Sequence, residues 1–145
     1  MKPYPDHQRV VHQWFFELFA ARQLDLLDEL VAPDFVVRDP GDMIVTPDPA
    51  SFKTWLQGYL TTFTDQRWTI HELISVGDKA IVRYSGQSTY QGGMFELPAT
   101  NEPVREIGML VFRIVDGKVL ELWTALCDLE LVFALGGKIV PAAES

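Results

Sequence analysis

The stretch from Glu106 to Gly136, EIGMLVFRIVDGKVLELWTALCDLELVFALG, leaves this chain the least freedom. Two runs rich in apolar and β-branched residues, Ile107 to Val115 and Val119 to Cys127, flank Asp116-Gly117, a dipeptide that tolerates the positive φ angles of a tight type I′ turn. The pattern predicts a long antiparallel hairpin. On its first strand one parity carries Glu106, Gly108, Leu110, Phe112 and Ile114, and the other Ile107, Met109, Val111 and Arg113. Both sets are largely apolar. Such a pair needs cover on both sides, from a helix or enclosed cavity on one and another subunit on the other.

Upstream, Val10, Val11, Trp14, Phe15, Leu18 and Phe19 follow Asp6 at spacings that make one broad helical face apolar. Leu24 to Val31 reads as a short second helix, and Phe35 to Arg38 as an extended piece broken by Asp39-Pro40-Gly41-Asp42. At Asp48-Pro49 the N-cap and first-turn signals coincide. Phe52, Trp55, Leu56, Tyr59, Leu60 and Phe63 then mark a third helix running to about Thr64. From Arg67 the period becomes two, with a turn at Gly77-Asp78 and a return strand from Ala80 to Tyr90. Gln91 to Pro103 reads as a loop with a short strand around Met94 to Leu97, and Asp128 to Leu135 as a last short helix stopped by Gly136-Gly137. Three helices followed by a β-meander predict an α+β fold, with a curved antiparallel sheet bent around the first helix.

At 145 residues and 48% hydrophobic, the chain suits one domain, expected over residues 1–137 with a tail at 138–145. The net charge of −8 is scattered and no basic patch occurs, which argues against nucleic acid or an anionic membrane as partner. Cys127 is the only cysteine, so no intrachain disulfide can form and a reducing cytoplasm is the expected location. The first residues lack the apolar core of a signal peptide, and no run approaches the ~18 apolar residues of a membrane span.

The segments APDFVVRDPG, TTFTDQRW, GDKAIVRYSGQSTYQGG, LPATNEPV, and FRIVDGKVLELW followed by LVFALG make the chain similar, over about residues 8 to 136, to the SnoaL-like polyketide cyclases of the nuclear transport factor 2-like superfamily. The resemblance implies a cone-shaped fold whose sheet wraps a helix, encloses a deep apolar pocket and dimerises through its outer face. It also implies a cofactor-independent isomerase, cyclase or dehydratase acting on a hydrophobic, polyketide- or terpenoid-like carbonyl compound. At the family's catalytic positions, however, the residues differ. The acid expected on the last strand falls on Thr124, an inward His on Leu110, and the first-helix Tyr of ketosteroid isomerases on Trp14, whose N–H donates but does not exchange a proton at neutral pH. Where many relatives carry an Asp, this chain has Cys127, with Asp128 one place later.

Strand parity and the resemblance together direct Glu106, Leu110, Leu122 and Thr124 inward, along with Tyr84, Gly86, Ser88 and Tyr90. Four residues are catalytic candidates. Asp39 occupies the position of the isomerase base and, desolvated in an apolar pocket, would remove a proton beside a carbonyl. The alternative is ordinary turn chemistry before Pro40-Gly41. Glu106 would be an inward acid, or else an exposed residue near the strand's start. Tyr84 and Tyr90 would donate hydrogen bonds to an enolate, or pack as half-buried strand residues. Trp14, Trp55, Tyr59, Leu110, Leu122 and Thr124 are the expected substrate contacts. Arg83 is expected to pair with Glu121 on the outer face.

His7, His12 and His71 lack metal-ligand spacing and read as solvated or interface residues, Cys127 reads as packing, and no dinucleotide or phosphate loop occurs, so neither metal nor cofactor is expected. The competing reading is a non-catalytic module of the same fold that binds an apolar ligand or supports assembly. Nine Phe, four Trp and four Tyr could also pack the cone shut.

Overall fold

The computed structural model describes residues 5–143. Helix α1 (Pro5–His12) continues without a break as a π-helical segment, Gln13–Ala20, and a 3-10 turn, Leu24–Leu26, leads into the short α2 (Leu27–Leu30). Strands β1 (Val31–Arg38) and β2 (Ile44–Thr46) precede α3 (Pro49–Thr62). The long strands β3 (Phe63–Val76), β4 (Lys79–Tyr90), β5 (Pro103–Val115) and β6 (Lys118–Leu126) follow, with α4 (Asp128–Ala134) last. All six strands form one curved sheet in the order β2-β1-β6-β5-β4-β3.

The meander is antiparallel as its turns require. Asp116 and Gly117 have φ of 53° and 75°, the two positive values of a type I′ turn, and Gly77 supplies φ 58° at the first position of the other hairpin. The sheet as a whole is mixed, because β1 lies parallel to β6, with Val37 opposite Leu122. A parallel neighbour cannot be reached by a tight turn. The intervening α3 and meander form the crossover.

Hydrophobic pattern fixes which side is covered. Val10, Val11, Trp14, Phe15, Leu18 and Phe19 are buried and meet Ala80, Val82, Tyr84, Leu110, Phe112 and Leu122 from alternate positions of the sheet. The wider π-helical winding, seen in the 3.1 Å bond from Ala21 N–H to the Phe16 carbonyl, helps bring Trp14, Phe15, Leu18 and Phe19 to the core together. Helix α3 starts where its signals coincide, with Asp48 Oδ1 accepting the Ser51 N–H at 2.7 Å and Pro49 in the first turn.

Several boundaries move. Val31, expected to end the second helix, begins β1, and α3 stops at Thr62 because β3 starts at Phe63. Asp65, at φ 52°, and the shifted pairing between Thr64 and Arg67 mark a bulge that the period-two pattern from Arg67 hides. Met94–Glu96 is a 3-10 turn instead of a strand. Residues 138–143 have no regular structure.

Candidate active site

Between α3, the π-helical segment, the concave side of the sheet and α4 lies a cavity of ≈ 680 Å³, within the range of small-molecule sites. The aromatic side chains leave it open. Trp14, Phe15, Phe19 and Phe52 form the wall beneath the helices, while Trp55, about half exposed, stacks on Tyr59 at 5.2 Å towards the solvent side. Leu110, Leu122 and Thr124 complete the sheet side, and Met94, Phe95, Leu131 and Val132 the opposite rim.

Two glycines make room for the polar centre. Tyr84 pairs across the strands with Gly108, and Gly86 with Glu106. A Cβ at Gly108 would stand 2.9 Å from the Tyr84 hydroxyl, and one at Gly86 would stand 2.3 Å from the Trp68 ring. Each large side chain therefore lies over a position where only glycine leaves space. Trp68 is fixed by its N–H bond to Gln66 Oε1 at 3.1 Å, and Gln66 in turn holds the Phe63 carbonyl at 3.2 Å.

Glu106 is the polar centre itself. Its Oε2 accepts a 2.5 Å hydrogen bond from Tyr59, whereas its Oε1 is buried and has no partner among the described residues. Burial raises the carboxyl pKa above the ordinary value, Asp128 raises it further, and the Tyr59 hydroxyl acts in the opposite direction. Burial likewise pushes the Tyr59 and Tyr84 hydroxyls upward, helped in both cases by the Glu106 charge. The Tyr84 hydroxyl makes no hydrogen bond with the described residues and lies at the cavity, where it can engage a bound molecule, while Glu106 lines the same cavity with its Oε1 shielded.

The structure thus unites most of the expected site: Glu106, Tyr84, Trp14, Trp55, Tyr59, Leu110, Leu122 and Thr124 all line the cavity. Two catalytic candidates do not. Asp39 lies outside it, and its Oδ1 accepts the N–H groups of Gly41 at 2.8 Å and Met43 at 3.1 Å, so the turn reading displaces that of a pocket base. Tyr90 is buried away from the cavity. Its hydroxyl donates to the Leu97 carbonyl at 2.7 Å and accepts the Met94 N–H at 2.8 Å, holding the loop beyond β4. Ser88, directed inward as expected, is also buried outside the cavity lining, and its Oγ has no partner among the described residues.

Three smaller expectations also change. Arg83 pairs with Glu72 at 3.6 Å, and Glu121 instead bridges Arg38 and Arg113. The reason is register: Glu121 lies opposite Arg113, with Arg38 beside it on β1. His7 is buried, its Nδ1 3.2 Å from Ser75 Oγ, and desolvation lowers its pKa. Glu106 lies inside β5, which begins at Pro103, four residues before its apolar run. Among the residues not expected at the site, Trp68 shares the inward parity of its strand, and Asp128 is the carboxylate displaced by one from the family's pattern. The Tyr59–Glu106 bond spans 47 residues and had no local signal. Among the described residues no three His, Cys, Asp or Glu side chains could hold a metal ion, and no helix is long and apolar enough to cross a membrane.

A family model described as SnoaL-like polyketide cyclase matches residues 9–132. No curated protein matches the chain. Among solved structures, a polyketide-cyclase candidate from Acidithiobacillus ferrooxidans superposes with a TM-score of 0.81 at 20% identity, covering 94% of this chain and 98% of that one. A SnoaL-like candidate from Jannaschia sp. CCS1 gives 0.82 at 17% identity, with 96% and 98% covered. IdmH, a polyketide-cyclase candidate from Streptomyces antibioticus, gives 0.77 at 25% identity, with 90% and 99% covered.

Proposed function

Since the chain belongs to the SnoaL-like polyketide cyclase family, we propose that it is a cofactor-independent acid–base catalyst that isomerises or cyclises a hydrophobic carbonyl compound, with Glu106 as its proton carrier. The observation that carries this reading is the buried Oε1 of Glu106, unpartnered at an apolar cavity while Tyr59 holds the other oxygen. A carboxylate so placed is desolvated and basic, and a small rotation of its side chain toward the cavity brings its free lone pairs to a substrate C–H.

In the proposed step Glu106 Oε1 takes a proton from the carbon beside the carbonyl. The C–H pair becomes the enolate double bond, and the carbonyl oxygen gains the negative charge that Glu106 loses. The Tyr84 hydroxyl donates a hydrogen bond to that oxygen. Glu106 then returns the proton to another carbon, or the enolate carbon attacks an electrophile within the same molecule and the proton goes to the oxygen so formed. Neither route requires a redox partner. A cytoplasmic location and a homodimer through the outer face, where Met109 is about half exposed, form part of this proposal.

The non-catalytic alternative draws on Thr124 and Leu110, which replace the acid and histidine that the family resemblance places there. Deuterium exchange into the methyl group of 2-acetylnaphthalene, followed by NMR, separates the two. Exchange by the native protein, a loss of ~10²–10⁴-fold in Glu106→Gln, and an Asp39→Asn rate within about twofold of native are expected. Undiminished exchange in a folded Glu106→Gln variant refutes the role of Glu106, and no exchange by any form favours the binding module.

A further inference from the structure

Among the described residues the cavity lining carries no positive charge: none is Lys, Arg or His, while two, Glu106 and Asp128, are carboxylic acids. Ten of the lining side chains are aromatic. Asp128 is exposed and forms no ion pair among the described residues, so it leaves the cavity rim uncompensated. The proton transfer proposed above keeps one negative charge inside throughout, first on Glu106 and then on the enolate oxygen. The hydroxyls of Tyr59 and Tyr84 supply hydrogen bonds there but no opposite charge.

Resting on that reading, we infer that the substrate brings the missing charge itself: the cavity selects a hydrophobic carbonyl compound bearing a protonated amine and rejects carboxylates and other anions. Aromatic faces attract a cation through their quadrupoles and do so more strongly when water is excluded. Trp55 stacked on Tyr59, with Phe19 5.7 Å from Tyr59 and 6.2 Å from Trp68, provides several such faces around the route from the open side to Glu106. An anion would meet these faces and both carboxylates with nothing to offset the repulsion. A neutral ligand gains the apolar contacts alone.

Isothermal titration with three ligands on one skeleton tests the charge preference without any turnover: 2-(aminomethyl)naphthalene, 2-naphthalenemethanol and 2-naphthoate at pH 7.5. The amine is expected to bind at least ~10-fold tighter than the alcohol, and the alcohol tighter than the naphthoate. Glu106→Gln and the exposed Asp128→Asn should each reduce the amine-to-alcohol ratio by about threefold or more, with alcohol affinity unchanged in Asp128→Asn. Equal or tighter binding of the alcohol or naphthoate overturns the inference, as does a ratio unchanged in both folded variants. Glu106-dependent exchange on 2-acetylnaphthalene without amine preference leaves the proposed chemistry standing and removes the charge selection. Amine preference without exchange does the reverse.

Discussion

Glu106 and Glu121 stand on neighbouring strands of the same sheet, one facing the cavity and the other the outside. Glu121 accepts from Arg38 Nε at 2.9 Å and Arg113 Nη1 at 2.8 Å, and Arg113 reaches Asp78 at 2.8 Å, so its charge sits within a chain of alternating signs. Glu106 has one phenol and an unpartnered oxygen, and burial raises its pKa. The same side chain is thus ion-paired on one face, and on the other it is buried without a cation and destabilised as an anion. Burial with cationic partners makes a structural element, whereas burial without them leaves a group able to exchange a proton.

The sharpest way to break this comparison is to make one substitution at both places. Folded Glu106 keeps its proton to higher pH than an ordinary carboxyl at 4.5, so the folded state binds the extra proton above that value, and stability falls as pH rises through the raised pKa. Glu106→Gln should remove this slope and raise Tm on the alkaline side, alongside its loss of exchange activity. Melting curves from pH 4 to 9 read the sign, and a lower Tm throughout would show that Glu106 serves as structure. Gly86→Ala disturbs the same face by another route. Its new Cβ would force the Trp68 ring out of place, costing ~1–3 kcal/mol and narrowing the cavity, measurable by urea unfolding and Trp fluorescence.

A smaller effect is expected at Tyr90→Phe. It leaves the Leu97 carbonyl and the Met94 N–H without their phenol, at about 1–2 kcal/mol, and loosens the loop to hydrogen exchange while proton transfer on small ketones continues. Glu121→Gln completes the series. It should lower stability by about 1 kcal/mol, an effect that shrinks at 1 M salt, whereas the Glu106 effect should be nearly insensitive to salt.

The fold was legible because its signals are local: Asp116-Gly117 dictates a turn, and the alternation from Tyr84 to Tyr90 assigns sides. Strand parity together with the family resemblance also directed Tyr84, Glu106, Leu110, Leu122 and Thr124 to the concave face. It could not tell which inward side chain reaches open space. Tyr84 and Tyr90 share a parity, yet one lies over Gly108 at the cavity and the other is tied to Leu97. Asp39 illustrates the reverse error, since a match of position carried a role that two backbone N–H groups had already claimed. Contacts such as Tyr59 with Glu106 depend on how α3 lies over the sheet, which neither segment encodes alone.

The parallel pairing of β1 with β6 sets an order of events during synthesis. Arg38 is made 83 residues before Glu121, a delay on the order of ten seconds at ribosomal rates. Until then β1 can pair only with the three residues of β2, and its other edge stays open while the apolar meander is still being added. Pairing of β1 with β6 is consequently a late long-range step, followed by the packing of α4 and Leu135 against the sheet.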